Sequence, residues 1–197
     1  MPATQDVPNN QPTVEAYARK IRPVARFASL KVTDAQLDTL RGISTHVLAK
    51  GRAQQGAVAM DRSPTPGTLA VFTGGDVEAK RMAAEAVAND LQFPLYNVNL
   101  EQIVSKYIGE TEKNLSALLS TTQRGSAVLL FDEADALFCK RTEVHDSHDR
   151  YAGASAVVAD HLKQYPGLVL VFASQSSDCD PVLLRQVRFS VDFPTAD

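Results

Sequence analysis

The sequence of 197 residues contains no tryptophan and only two cysteines, Cys139 and Cys179. The cysteines lack the paired spacing of a zinc site, so free thiols are the expected state. Lysine and arginine number 20 against 23 aspartates and glutamates, which leaves no basic excess to indicate nucleic-acid binding. No apolar run approaches the roughly 20 residues of a membrane span, and the polar N-terminus has no signal-peptide core. The sequence therefore predicts a cytoplasmic protein that binds neither membranes nor nucleic acid.

The first third of the chain carries no motif that indicates chemistry. Residues 1–12 are polar and contain three prolines, which predicts a disordered tail. Residues 13–66 are predicted to form a helical N-terminal extension and a loop. Its main helix begins at the capping box Thr33–Gln36 and ends near Lys50, because apolar residues recur there at helical spacing. Gly51–Gly67 contains glycine and proline without periodicity, which predicts a loop.

From residue 67 onward, short apolar runs alternate with helix-forming segments. The predicted strands are 69–72, 95–98, 128–131, 168–173 and 189–193, and the predicted helices are 79–91, 110–122, 151–163 and a turn at 181–184. Strands separated by helices of this length form βαβ units. The sequence therefore predicts an α/β fold with a mainly parallel five-stranded sheet, preceded by a helical N-terminal segment.

Two carboxylates follow the third predicted strand directly. Val128–Phe131 is apolar at every position, which is typical of a strand buried on both faces, and Asp132 and Glu133 stand at its carboxyl end. Ligands of open α/β sheets bind at that edge. An acidic pair there suits magnesium and water, because one carboxylate can hold the cation while the other orients the attacking water. For an Asp–Glu pair considered alone, an exposed acidic turn is the alternative.

The segment between the first strand and the first helix of this region contains half of a phosphate-binding motif. Such a loop needs glycines for backbone contact with phosphate, a lysine for the outer phosphates and a hydroxyl for magnesium. Against the pattern G-x-x-x-x-G-K-S/T, Gly74 and Lys80 match. The second glycine is replaced by Ala79, and the hydroxyl position is Arg81, which cannot ligate magnesium. Two acidic residues in the loop also place negative charge where phosphate would bind.

Four segments in this order resemble the AAA-type (AAA+) ATPase family, P-loop machines that usually work as ring hexamers. They are the strand and loop from Thr68 to Arg81, Ser105–Leu115, Leu130–Phe138 and Asp180–Phe189. The resemblance implies a three-layer P-loop NTPase sandwich. Residues 67–197 would form its large ATPase subdomain, without the C-terminal helical lid of the family.

The resemblance also implies roles for residues of the nucleotide site. Asp132 resembles the Walker B aspartate on the magnesium shell, and Glu133 the residue that polarises water. The nucleotide-binding positions are Gly74, Gly75, Lys80 and Arg81. ATP or ADP with Mg²⁺ is the implied cofactor, and the degenerate loop implies that this binding is weak or lost. Ser174 stands where the family has an asparagine that positions water.

Two further segments resemble parts that act outside the chain's own nucleotide site. Lys106, Tyr107, Ile108 and Gly109 are similar to the pore loop that grips an extended polypeptide. A core aromatic is the alternative for Tyr107. Arg185 and Arg188 resemble arginine fingers that reach the neighbouring subunit's nucleotide, and surface ion pairs are the alternative. The implied partners are a protein substrate or partner subunit, within a ring-shaped homo- or hetero-oligomer.

These matches and departures define the functional hypotheses. The first is an AAA-type ATPase-like module for nucleotide-dependent remodelling or assembly of protein partners. Its own ATP hydrolysis would be impaired, because Ala79, Arg81 and Ser174 all depart from the family pattern and fixed donors are worth orders of magnitude in phosphoryl transfer. The alternative is a non-catalytic pseudo-ATPase subunit or scaffold in a mixed ring, or a binding module that keeps only the fold.

Overall fold

A six-stranded β-sheet forms the centre of the fold in a computed structural model that describes residues 14–56, 67–105, 107, 109–122, 127–132, 154–175 and 181–195. The strands are β1 (Ala18–Ile21), β2 (Thr68–Thr73), β3 (Leu95–Val98), β4 (Val128–Phe131), β5 (Leu168–Phe172) and β6 (Val187–Asp192). The helices are α1 (Asp34–Gly56), α2 (Val77–Leu91), α3 (Leu100–Ile103), α4 (Glu110–Thr122), α5 (Ala154–Gln164) and α6 (Pro181–Leu184), with 3-10 turns at Val14–Ala16 and Phe27–Ser29. The predicted disordered tail lies outside the described residues.

The strand order across the sheet is β1-β3-β4-β5-β2-β6. All neighbouring strands are parallel except β1, which runs antiparallel to β3. The prediction of an α/β fold with a mainly parallel sheet is confirmed. Because the central strands share one direction, β2, β4 and β5 end at the same edge of the sheet, where the loops that follow them meet.

Helices cover both faces of the sheet. Every residue of β2, β4 and β5 is buried. Successive side chains of a strand point to opposite faces, and in β4 Leu129 and Phe131 pack in one apolar cluster with α4 and α5, while Val128 and Leu130 pack in another with α1 and α2. This arrangement gives the three predicted layers. No helix among the described residues is long and apolar enough to span a bilayer.

The N-terminal segment differs from the prediction in two places. It contributes a strand, β1, so the sheet has six strands rather than five. The Ala-Arg-Lys-Ile sequence of β1 carries no apolar alternation, and its pairing with β3 depends on contacts distant in sequence, which local patterns do not reveal. Helix α1 also continues to Gly56 instead of ending near Lys50, because the segment after Gly51 is rich in helix-forming residues. The domain division at residue 67 stays a prediction.

Candidate functional site

A tight loop, Gly74–Asp76, joins the carboxyl end of β2 to the start of α2. Gly74 has a φ of 97°, and a Cβ added there would lie 2.1 Å from the carbonyl oxygen of Phe193. Only glycine fits this position without rearrangement of the backbone. The backbone N–H of Gly74 donates to the carbonyl of Ser174 at 3.1 Å, and that of Asp76 donates to the carbonyl of Phe193 at 3.1 Å. The chain segments that follow β5 and β6 therefore hold the loop in place.

The first turn of α2 is capped by an acidic side chain of the loop itself. Asp76 is the N-cap residue, and its Oδ1 accepts a hydrogen bond from the backbone N–H of Ala79 at 2.9 Å. Free amides at a helix N-terminus are the groups that bind phosphate in phosphate loops. A carboxylate at this end satisfies one such donor and interacts favourably with the helix dipole. Here the chain supplies its own anion to an amide that a phosphate would use.

The candidate phosphate lysine is buried and bonded to the backbone. Lys80 is 5% exposed, and its Nζ donates to the carbonyls of Gly74 at 2.7 Å and Ala173 at 3.3 Å. The same nitrogen lies 5.5 Å from the centre of the Phe172 ring, within cation–π range. A buried ammonium requires such partners, because burial without hydrogen bonds is costly. In this arrangement Lys80 ties the loop to the carboxyl end of β5.

Asp132, the predicted metal ligand, forms an ion pair with Arg81, which occupies the hydroxyl position of the loop. Nη2 of Arg81 donates to Oδ2 of Asp132 at 2.7 Å, a short charge-assisted bond. The Asp132 side chain is 14% exposed and that of Arg81 51% exposed. Arginine is a permanent cation and offers no lone pair to a metal. The described residues therefore do not fit a magnesium ion at Asp132, since a fixed positive charge of the chain already lies against the carboxylate.

A polar cavity of about 710 Å³ opens beside this ion pair. Its described lining includes Arg81 and Asp132 together with residues around β1 and at the carboxyl end of β3: Glu15, Ala16, Tyr17, Ala18, Arg19, Asn97, Val98, Asn99, Leu100 and Glu101. The volume is within the range of small-molecule sites. The ion pair thus forms part of the wall of an open space next to the loop.

Other predicted site residues are placed as follows. Gly75 is exposed, and a Cβ there would lie 2.7 Å from Cγ2 of Thr195. Ser174 is exposed, and the atom that accepts the hydrogen bond from Gly74 is its backbone carbonyl oxygen. Glu133, Lys106 and Ile108 lie outside the described residues. Their predicted roles stay predictions.

Tyr107 is not a core residue, because its side chain is 61% exposed. Nearby Gly109 has a φ of 80°, and nothing described lies within 4 Å of a Cβ built there. A left-handed glycine gives the segment a sharp turn before α4. An exposed aromatic side chain on a turn presents contact area to other molecules.

Arg185 and Arg188 are exposed and lie far from the chain's own loop. Strand β6 pairs with β2 from Val187 opposite Leu69 to Asp192 opposite Thr73. At about 3.3 Å per residue, these two ends are roughly 13 Å apart. Both arginines are near the end opposite the Gly74 loop, so the structure does not bring them together with Lys80 and Asp132.

The sequence pattern missed the internal partners of the site. The Asp76 cap had a signal, since an acidic residue three positions before Ala79 at the start of a helix is typical of an N-cap. The Arg81–Asp132 pair had no sequence signal, because its members are 51 positions apart. The contact of the loop with the segment after β6, where the Phe193 carbonyl meets Gly74, had no sequence signal either.

The sheet order, the loop after β2 and the carboxylate after β4 define a class, the P-loop type of α/β nucleotide-binding protein. Residues 72–195 match the family described as "ATPase family associated with various cellular activities (AAA)". Because the match covers more than half of the chain, the chain belongs to the AAA family.

Two relatives and one solved structure illustrate the similarity. The chain is 36% identical over 143 residues to spastin of Xenopus tropicalis, which covers 69% of this chain and 23% of spastin. It is 32% identical over 113 residues to the "Cell division cycle protein 48 homolog" of Archaeoglobus fulgidus, which covers 55% of this chain and 15% of that protein. It therefore spans less than a quarter of the length of either relative. A chain of the E. coli MS115-1 HORMA:CdnC:Trip13 complex shares the fold, with a TM-score of 0.65, 20% identity and coverage of 93% of this chain and 72% of that one.

Proposed function

We propose that this chain is an AAA-type ATPase-like module for nucleotide-dependent remodelling or assembly of protein partners, with impaired ATP hydrolysis of its own. The proposal rests on one observation: the groups that would hold phosphate or magnesium already bind other groups of the same chain. Asp76 binds an amide of α2, Lys80 binds two backbone carbonyls, and Arg81 binds Asp132.

Each of these contacts involves a group that phosphoryl transfer requires. Catalysis of phosphoryl transfer depends almost entirely on positioning and on fixed charges around the phosphates. In this chain those groups would first have to leave their internal partners before they could hold ATP. The missing hydroxyl at Arg81 removes a magnesium ligand in addition. Slow or absent turnover is the expected result.

The exposed Tyr107 supports a protein as the substrate class. An aromatic side chain offers a large contact surface that tolerates many sequences. Its place next to Gly109, whose φ of 80° makes a turn in open space, suits contact with an extended chain. A ring assembly is part of the proposal, because such a loop acts on a polypeptide when several copies surround it.

The second candidate function is a non-catalytic subunit that supplies Arg185 and Arg188 to an active neighbour. Within the described part of the chain, neither arginine forms a hydrogen bond or an ion pair. A bulge in β6 between the partners of Leu69 and Ala70 leaves Arg188 outside the strand register, and bulges often re-aim a side chain. Arg188 also adds charge to a basic region: burial, followed by the charge of Arg188, lowers the pKa of both His46 and Lys50. Positive charge gathered at this edge favours an anionic partner.

Turnover measurements test the first proposal. Phosphate release from Mg-ATP is measured for the wild-type chain, for Lys80→Ala, and for a loop-restored variant with Ala79→Gly and Arg81→Thr. We expect the wild-type rate to equal that of Lys80→Ala and the restored variant to gain about tenfold or more, since each fixed contact in such a site is worth at least that much. A wild-type kcat of about 1 per second or higher, abolished by Lys80→Ala, would contradict impaired hydrolysis.

A further inference from the structure

The ion pair between Arg81 and Asp132 lies where the resemblance to the AAA family implies a magnesium ion. We infer that Arg81 takes the place of this metal, so that the chain binds a nucleoside di- or triphosphate as a metal-free anion. The inference rests on the proposed function, because it takes the Gly74 loop as the nucleotide site. It specifies that the nucleotide binds without a metal ion, a point that the proposed function leaves open.

The geometry of Asp132 argues against a divalent cation. Its carboxylate is largely buried and accepts a charge-assisted bond of 2.7 Å from the guanidinium of Arg81. A magnesium ion at this carboxylate would lie close to a second positive charge that the chain cannot deprotonate. It would also have to give up water molecules, which magnesium does reluctantly. The covalently attached guanidinium meets neither obstacle.

The position of Arg81 suits a phosphate as well as the carboxylate. It follows Lys80 directly, in the first turns of α2, where the helix dipole favours anions. Its side chain is half exposed, unlike that of Asp132. A guanidinium has five N–H donors in a planar fork, enough to hold a carboxylate along one edge and a phosphate oxygen along another. Arg81 therefore supplies one fixed positive charge where a magnesium ion would supply two, next in sequence to the ammonium of Lys80.

Metal-free nucleotide is the better ligand for such a site. Without magnesium the phosphates keep their full negative charge, and the fixed guanidinium attracts them more strongly. With magnesium bound, part of that charge is neutralised and the metal faces Arg81. Excess magnesium should therefore weaken binding to this chain, whereas it strengthens binding in a site whose cation ligands are carboxylate and hydroxyl.

Calorimetric titration with ADP tests the inference, because ADP avoids any contribution from turnover. The wild-type chain, Arg81→Lys and Arg81→Thr are each titrated in EDTA and in excess magnesium. We expect the wild-type Kd to be about fivefold or more lower in EDTA, and Arg81→Lys to keep this order because it keeps the charge. Arg81→Thr should reverse the order, and adding Asp132→Asn to Arg81→Thr should abolish the response to magnesium. Thermal melts monitored by circular dichroism check folding, and Arg81→Gln replaces Arg81→Thr if that variant is unstable.

Three results would overturn the inference. They are wild-type binding that EDTA weakens, an Arg81→Thr variant with the same metal response as the wild type, and no binding of ADP to the wild-type chain in either buffer. The fate of the proposed function is separate, because it depends on turnover. Magnesium-dependent binding without turnover would remove the inference and leave impaired hydrolysis intact, whereas substantial wild-type turnover would remove the proposed function.

Discussion

Two buried hydroxyl groups in this protein differ in whether they have a partner. Tyr165 is 1% exposed, and its hydroxyl donates to the carbonyl of Ala127 at 2.9 Å. Burial raises the pKa of this phenol well above its usual range, so it stays protonated and remains a donor. Ser44 of α1 is 2% exposed, and its Oγ has no hydrogen-bond partner among the described residues. The same chemical group therefore stabilises the fold at one position and not at the other.

Removing each hydroxyl should have opposite effects on stability. We expect Tyr165→Phe to lower the free energy of unfolding by about 1–2 kcal/mol, because it removes a buried hydrogen bond and leaves a carbonyl without this donor. Ser44→Ala should leave it unchanged or raise it by up to about 1 kcal/mol, since alanine favours the helix and loses no partner. Urea unfolding followed by circular dichroism measures both. A larger loss for Ser44→Ala than for Tyr165→Phe would show that Ser44 has a partner.

The sequence predicted where residues of the candidate site lie, but not which side chains they bind. Lys80 and Asp132 could be placed at the sheet edge, because each follows a strand whose apolar pattern is local. Their present partners could not, because side-chain pairing depends on which loops the fold brings together. Arg81 was recognised as a departure from the phosphate-loop pattern, but its bond to Asp132 emerges only from three-dimensional structure.

At the scale of elements, the turn from β2 into α2 depends on a glycine that is constrained in two ways. Gly74 has a left-handed φ of 97° and also meets the Phe193 carbonyl, 2.1 Å from a Cβ built there. Gly109 shares the left-handed backbone, with a φ of 80°, but nothing described lies within 4 Å of its Cβ position. The two glycines therefore separate the cost of backbone conformation from the cost of a steric clash.

Alanine substitution at these glycines should destabilise the protein unequally. We expect Gly109→Ala to cost about 1–2 kcal/mol, the penalty for a Cβ in the left-handed region. Gly74→Ala should cost about 3 kcal/mol or more, because the backbone of the segment after β6 must move as well. Unfolding midpoints in urea measure the difference. Equal losses would mean that this segment yields freely and does not fix the loop.

The elements themselves were predicted to very different degrees. Strands β3 and β4 and helix α4 have the predicted bounds. Burial on both faces gives β4 a continuous apolar sequence, which makes a strand easy to recognise. Strand β1 has two exposed charged residues in four, so nothing local distinguishes it from a loop. The end of α1 was missed for a related reason, since a single glycine interrupts a helix pattern without stopping the helix.

At the scale of the whole molecule, the Gly74 loop and the candidate arginine fingers, Arg185 and Arg188, lie at opposite ends of the parallel strands β2 and β6. The register of β2 with β6 fixes this separation. A subunit built in this way cannot complete its own site with Arg185 and Arg188. It can place them against a neighbour's site when subunits are arranged head to tail, which is the geometry of a closed ring.

Mixed assemblies test the fingers directly. The chain is combined with an AAA ATPase that has an intact phosphate loop and that co-elutes with it in size-exclusion chromatography. We expect the double variant Arg185→Ala and Arg188→Ala to lower the ATPase rate of the assembly by about tenfold or more, because an arginine finger stabilises transition-state charge. Arg26→Ala, at an exposed arginine just before the Phe27–Ser29 turn, is the matched control. Equal rates for the wild-type chain and the double variant would remove the second candidate function.

Strand β1 has a consequence for the solution behaviour of the sheet. The family match begins at residue 72, yet the outer edge of β3 is covered by β1, more than fifty residues earlier in the sequence. The bond from the Tyr17 hydroxyl to Asn114 of α4, 3.1 Å long, anchors the chain next to that strand. A fragment that begins at Gly67 would keep β2 but expose the unpaired backbone of β3, whose remaining neighbour β4 is apolar, and such an edge is a template for aggregation. In the longer chain the outer strand is β1, and the charges of its exposed residues Arg19 and Lys20 oppose the addition of a further strand. Strand β1 thus protects the sheet from strand addition at the β3 side.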